Sequence, residues 1–339
     1  MARTRTEIRA LGDVWNPTML WYAKAVQALN TRALTDKTGW LYLAAIHGFD
    51  GPLWQNFDLI NAGTALPPQT EQDAYWNQCQ HQTWYFLPWH RAYLLTFEDI
   101  LRAWIMAQPG APQDWALPYW NYSASPSATN PNPPAVPDAF TARTLPDGTP
   151  NPLFVPARFG AAVAARDAQL ANALLDQTFT GAAQEGTIPG FGGPRTPFSH
   201  AGEDGGWLED LPHNPVHVDV GGQDANGNGG LMTDPRSAAA DPIFWVHHAN
   251  IDRLWEVWRK RNTVDTNPTD PAWLNGPTDQ RFRLYDANGT DRPSNPKDVI
   301  GLVGTVYSYD DLSDPFEGMT RRGTRLAQLA PQAARILAA

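Results

Sequence analysis

Cysteine is almost missing from this chain. Cys79 is the only one in 339 residues, so no internal disulfide can form, and neither a thiolate zinc site nor an iron–sulfur cluster can be built from the chain itself. A single thiol fits a reducing compartment. Long apolar runs are missing as well: the opening MARTRTEIRALGD has arginines without an apolar stretch after them, so it does not read as a secretory signal, and no segment reaches membrane-spanning length. The expectation is a soluble chain, cytoplasmic rather than secreted. Positive charge is scarce, with 25 Lys and Arg against 35 Asp and Glu and a net charge of −10, which argues against a nucleic-acid or anionic-membrane partner. HExxH is absent, which excludes zincin chemistry, and so are the ExxH pairs that a di-iron carboxylate bundle needs.

What the chain has in quantity is tryptophan, proline and glycine. Fifteen Trp supply a core, while 31 Pro and 27 Gly indicate long irregular connections between few regular elements. No linker-like break divides the sequence, so one domain is expected over 1–315, followed by a basic, alanine-rich tail over 316–339 whose composition suits a helix.

Residues 15–33 and 38–48 read as helices, and the second sets Trp40, Leu43, Ala44 and His47 at offsets of three and four, which puts His47 on an apolar face. Pro88 can open a helix whose stripe of Tyr93, Leu94, Phe97, Leu101 and Trp104 includes His90. His81 lies nine residues earlier and would face the opposite side of a continuous helix at about 100° per residue, so a loop should carry it. Residues 123–158 and 186–206, rich in Pro, Gly, Asn and Ser, read as surface excursions. Pro212 and Pro215 belong in a first helical turn, so HNPVH (213–217) should form a short helix that Gly221–Gly222 ends. Asp241–Pro242 then caps a helix running to about Arg261.

Seven of the eight histidines fall in these stretches: His47, His81, His90, His213, His217, His247 and His248. Burying so much imidazole is costly unless each ring finds a hydrogen bond or a metal. His213 and His217, four apart, project from one side of a helix and can grip one ion. The stripe Phe244, Ile251, Trp255 and Trp258 takes in both His247 and His248, so periodicity leaves open which of them faces a metal. All-imidazole ligation suits copper or zinc, and one zinc would use only three or four of some six histidines; two copper ions with three histidines each is the simplest count. His200 fits none of these patterns and reads as a loop residue.

FLPWHRAYLLTFE (86–98) resembles the first copper motif of the tyrosinase and polyphenol oxidase (catechol oxidase) family of coupled dinuclear, type 3, copper proteins. HNPVH with DPIFWVHHANIDRLW resembles the second, and the similarity spans roughly His47 to Tyr309. The resemblance implies a mainly α fold, a four-helix bundle holding a dicopper site, with long Pro/Gly-rich loops and a few short strands. It implies that His47, His81 and His90 bind one copper and His213, His217 and His248 the other, His248 standing four residues before Asp252 as in the family's HxxxD. His247 is then left to orient a ligand or to pack. The CxH of Cys79 and His81 is similar to fungal members, in which the two are joined by a thioether, and YSY (307–309) is similar to a tyrosine motif that pairs with an N-terminal arginine, here Arg5 or Arg9.

The activity implied is a copper oxidase that uses dioxygen to hydroxylate monophenols and oxidise o-diphenols to o-quinones, with small phenols and dioxygen as partners. A strict catechol oxidase, an o-aminophenol oxidase and a hemocyanin-like dioxygen carrier are the alternatives. Hydroxylation needs a base for a phenol whose pKa is about 10, and the resemblance points to Glu209 and Asn214 beside His213. Carboxylates such as Asp252 are expected to orient the imidazoles. Pro235 stands where many members carry a residue overhanging the first copper, and with Val218 after His217 it implies an open mouth for phenols. Asp219 stands where many relatives have tryptophan, and the stretch beyond Tyr309 is too short for the lid domain that many relatives carry.

Overall fold

The computed structural model describes residues 3–128, 130–181, 190–198, 204–262, 267–276 and 282–319, so His200 and the tail from 320 onward lie outside it. Helix α1 (Pro17–Asn30) starts where the Asn16 side chain accepts the Met19 amide and Pro17 needs no partner, and it buries Met19, Tyr22, Val26 and Leu29. Helix α2 (Trp40–His47) is apolar on nearly every side and ends on His47. The chain leaves it through Gly48, where a Cβ would lie 2.5 Å from the Pro235 carbonyl oxygen, so only glycine lets the 235–236 backbone come this close. Both helices are shorter than their sequence pattern suggests, each starting two residues late, α1 ending three residues early and α2 one.

Helix α3 (Phe86–Met106) begins two residues before Pro88, which still sits in the first turn where its missing N–H costs nothing. Helix α4 (Asn214–Gly221) is short, as expected, and stops at Gly222 with φ of 61°. It is not, however, where His213 sits: a wider π-type turn over Glu209–His213 precedes it, with Leu211 extended inside, and Pro212 falls in that turn rather than in the first turn of α4. Helix α5 (Ile243–Arg261) starts where the Asp241 carboxylate accepts the Ile243 amide, and it ends on Arg259, Lys260 and Arg261, cations that suit the negative end of its dipole.

Helices α2, α3, α4 and α5 meet through their side chains to form the bundle, with α1 packed outside α2 and α3. Phe97 of α3 stacks on Trp245 of α5 at 3.6 Å and 8°, and Trp40 of α2 meets Trp245 at 6.2 Å. The two excursions are not merely superficial. Phe140 is fully buried near Tyr22 of α1, Arg158 ties the first excursion to Asp241, and Phe191 of the second stacks on Trp258 at 4.4 Å. Their apolar residues are dispersed among prolines and carry no period, which is why the pattern reads as surface. Strands β1 (Arg3–Arg5) and β2 (Tyr307–Tyr309) pair in parallel, Arg3 with Tyr307 and Arg5 with Tyr309, and join segments that lie far apart in the sequence. Among the described residues no helix is long and apolar enough to cross a membrane.

Candidate metal centre

Each helix of the bundle brings one or two imidazoles to a common centre. His47 ends α2, His90 lies in the first turns of α3, His217 lies in α4 and His248 in α5, while His213 hangs on the π-type turn and His81 on the loop before α3. Two groups result. His47, Cys79, His81 and His90 form one, and His213, His217, His247 and His248 the other; within each, one ligand atom per residue lies within 4.8 Å of all the others. The groups touch through His90 and His248, whose rings stack at 4.4 Å and 11°.

Four rings are held from behind in the same way. Nδ1 of His47 donates to the Pro235 carbonyl at 2.7 Å, Nδ1 of His90 to the Phe86 carbonyl at 2.8 Å and Nδ1 of His217 to the Met232 carbonyl at 3.1 Å. Nδ1 of His213 donates to Asn214 Oδ1 at 2.9 Å. With Nδ1 protonated, each ring turns a bare Nε2 lone pair to the centre, the arrangement of a metal-ligating histidine. Nε2 of His47 and of His213 is buried without a hydrogen-bond partner, and Nε2 of His217 lies 3.2 Å from Nε2 of His248. Two imidazole nitrogens at about 2.0 Å from one tetrahedral ion are ~3.3 Å apart, so this spacing fits a shared metal. Burial, then repulsion from neighbouring imidazoles, depresses all these rings; His217 falls to about 3, so the ligand-competent neutral form prevails.

Carbonyl oxygens and one amide therefore orient the rings, and the expectation that Asp252 does so is incorrect. Asp252 accepts Arg91 Nε at 2.6 Å, Tyr307 at 2.6 Å, Tyr309 at 2.5 Å and Arg5 at 3.2 Å. Burial alone would raise this carboxyl; Arg91 and Arg5 hold it below its ordinary value. Of the two arginine candidates for the tyrosine motif, Arg5 is the partner, 3.9 Å over the Tyr307 ring, while Arg9 binds the Pro133 and Ala135 carbonyls. Sequence reasoning missed the orienting carbonyls, although Phe86, one helical turn before His90, was within reach of a spacing argument.

The centre opens through a mouth of about 380 Å³ lined by His47, His81, His213, His217, Gln82, Glu209, Asn214, Val218, Met232, Thr233 and Pro235. No aromatic side chain other than imidazole lines it, and Val218 is 59% exposed at its rim. A larger groove of about 870 Å³ lies between Leu41, Phe57, Phe154 and Phe159, but it contains no imidazole, so the chemistry belongs to the smaller opening. Glu209 is buried, with both carboxylate oxygens on the Gln82 amide at 2.7 and 2.9 Å; burial pushes it up to about 8, against the lowering effect of that hydrogen bond. Gln82 turns its amide there through a left-handed φ of 56°. Asp219 faces away from this chemistry and accepts the Ala164 amide at 2.7 Å.

Cys79 Sγ lies 3.5 Å from Nδ1 and 3.6 Å from Nε2 of His81, so it sits on the plane that bisects the ring through Cε1, the carbon between those nitrogens. It is also 3.4 Å from His90 Nε2.

The family model for the common central domain of tyrosinase matches residues 37–261. A tyrosinase of Hahella sp. (strain CCB-MM4) is 40% identical over 316 residues, covering 90% of this chain and 63% of that protein. Chloroplastic catechol oxidase B of Solanum tuberosum is 28% identical over 246 residues, 70% of this chain and 39% of its own. The chain thus spans less than two thirds of the length of these relatives. Among solved structures, latent apple tyrosinase superposes with a TM-score of 0.64 at 24% identity, covering 93% of this chain and 64% of that one. A copper-bound mutant of active Aspergillus oryzae tyrosinase gives a TM-score of 0.57 at 19% identity, covering 91% of this chain and 92% of that one.

Proposed function

The chain belongs to the tyrosinase family, and from that premise we propose that it is a dicopper oxidase that hydroxylates monophenols and oxidises o-diphenols to o-quinones. The observation that carries the reading is the pair of imidazole groups in contact, with inward Nε2 atoms and Nδ1 atoms tied to carbonyls. The donors fit copper: neutral nitrogen ligands, no carboxylate among them, and a ligand spacing that matches one ion. His47, His81 and His90 would hold the first copper, and His213, His217 and His248 the second. Bound there, the pair supplies dioxygen activation and accepts the electrons of the phenol.

The protein's own part is orientation, access and one proton. His47, His90, His213 and His217, locked at Nδ1, hold their part of the donor set with little rearrangement, and the buried bundle excludes water behind it. A phenol enters past Val218 and Pro235, where no bulky ring blocks the first metal position. Glu209 takes the phenolic proton. Its pKa of about 8 lies nearer than an ordinary carboxyl to a phenol's value of about 10, so the transfer is less uphill. The Gln82 amide holds the carboxylate in place, and Asn214 fixes His213 while its exposed amide faces the mouth. Each diphenol gives up two protons and two electrons as the quinone forms. Joining Cys79 to His81 at Cε1 would anchor the one ligand that no helix carries. The lone cysteine suits a reducing compartment.

The test is turnover by copper-reconstituted protein of a monophenol, a catechol and an o-aminophenol in air. Quinone should form from the first two and cease on chelation. Glu209→Gln should slow monophenol hydroxylation by roughly 10²–10⁴-fold while catechol oxidation persists. A protein holding two coppers that oxidises none of these substrates would remove the assignment.

A further inference from the structure

We infer that His247 is a reserve fourth donor of the second metal position, able to take the place of His248. The inference rests on the dicopper reading and concerns a residue that this reading leaves unused. His247 is fully buried, and neither Nδ1 nor Nε2 has a hydrogen-bond partner. Its ring lies 4.9 Å from His217 and 5.4 Å from His213, within the range that separates the assigned ligands of that position, where His213 and His217 are 4.6 Å apart and His217 and His248 5.4 Å. An imidazole buried with both nitrogens unsatisfied is costly, and a metal beside it offers the missing partner.

A second, independent observation singles out the third donor as the one open to exchange. His213 and His217 are fixed at Nδ1 by Asn214 and Met232, but Nδ1 of His248 has no partner. The position therefore has two anchored ligands and two unanchored ones, adjacent on the same helix. Nε2 of His248 already lies 3.2 Å from Nε2 of His217, the spacing of a shared ion, so His248 holds the third place and His247 is the donor in reserve. When His248 swings out, His247 keeps the ion three-coordinate, and the metal stays in the protein.

Copper counting after dialysis against a competing chelator tests this, using wild type, His248→Gln, His247→Gln and the double variant, with near-UV circular dichroism from the many tryptophans to verify folding. His248→Gln should retain two coppers per chain and the double variant one. Retention of one copper by His248→Gln alone, or of two by the double variant, overturns the inference. His247→Gln gives a reading that needs no double variant: its more labile copper should leave at least about tenfold faster than in wild type, the usual scale for removing a supporting group at a metal site. An unchanged release rate also overturns it. Wild-type protein that binds fewer than two coppers would instead bring down the dicopper reading itself.

Discussion

Arg91 Nε donates to Asp252 Oδ1 at 2.6 Å, which ties the residue after His90 to the residue one turn beyond His248. One buried ion pair thus joins the helix of the first imidazole group to the helix of the second. Arg91 also reaches Glu256 at 2.7 Å, while Asp252 collects Arg5 and both tyrosines of β2.

Removing one partner of such a pair leaves an uncompensated buried charge. Arg91→Met should lower the stability of the metal-free protein by about 3–5 kcal/mol, read from urea unfolding. Arg91→Lys keeps the charge but cannot span both carboxylates, so it should lose less. A loss below about 1 kcal/mol in Arg91→Met would mean that the pair does not hold the helices together.

Glu209 links stability to pH. Its folded value of about 8 lies above the ordinary 4.5, so between these values the folded state binds more protons than the unfolded one. Glu209 therefore contributes stability to the metal-free protein that is lost as pH rises through this window, on the order of a few kcal/mol across it, while the depressed imidazoles add the opposite trend up to their ordinary value of 6.5. The stability of wild type minus that of Glu209→Gln should therefore fall by this amount between pH 4.5 and about 8. Parallel profiles for the two proteins would refute the assignment.

Cys79 and His81 make a chemical prediction. Forming the S–C bond removes the thiol hydrogen and the Cε1 hydrogen, with the two electrons passing to dioxygen through bound copper. Copper-loaded protein should then weigh two hydrogens less than its sequence, and Cys79 should resist alkylation in denaturant. Full alkylation at the sequence mass would show that no crosslink forms.

Much of this centre was legible in the sequence because histidine seldom recurs on apolar helical faces without cause. His47 and His90 followed from spacing alone, and the loop placement of His81 from its angle to His90. The orienting groups were hidden for a physical reason: Pro235 and Met232 act through backbone carbonyls, which every residue has. The ion network was hidden for another. Helix α5 is buried all round, with Asp252, Arg253 and Glu256 inside, so its polar side chains look like a solvent face while they neutralise partners on other elements. Glu98 in α3 behaves alike, paired with Arg5 from nearly a hundred positions away. Likewise, the stripe through Trp255 could not rank His247 against His248, since both sides of that helix are interior.

The pairing of β1 with β2 also dictates an order of assembly. Arg5 leaves the ribosome 304 residues ahead of Tyr309, yet both close on Asp252. The helices can gather as they emerge, but the clasp over them must wait for β2, and long-range closure of this kind is slow. Until then Asp252 lacks two hydroxyl donors and Arg5 has no aromatic face to cover it. Metal uptake during synthesis would therefore meet an unfastened bundle, whereas uptake after release meets a fastened one.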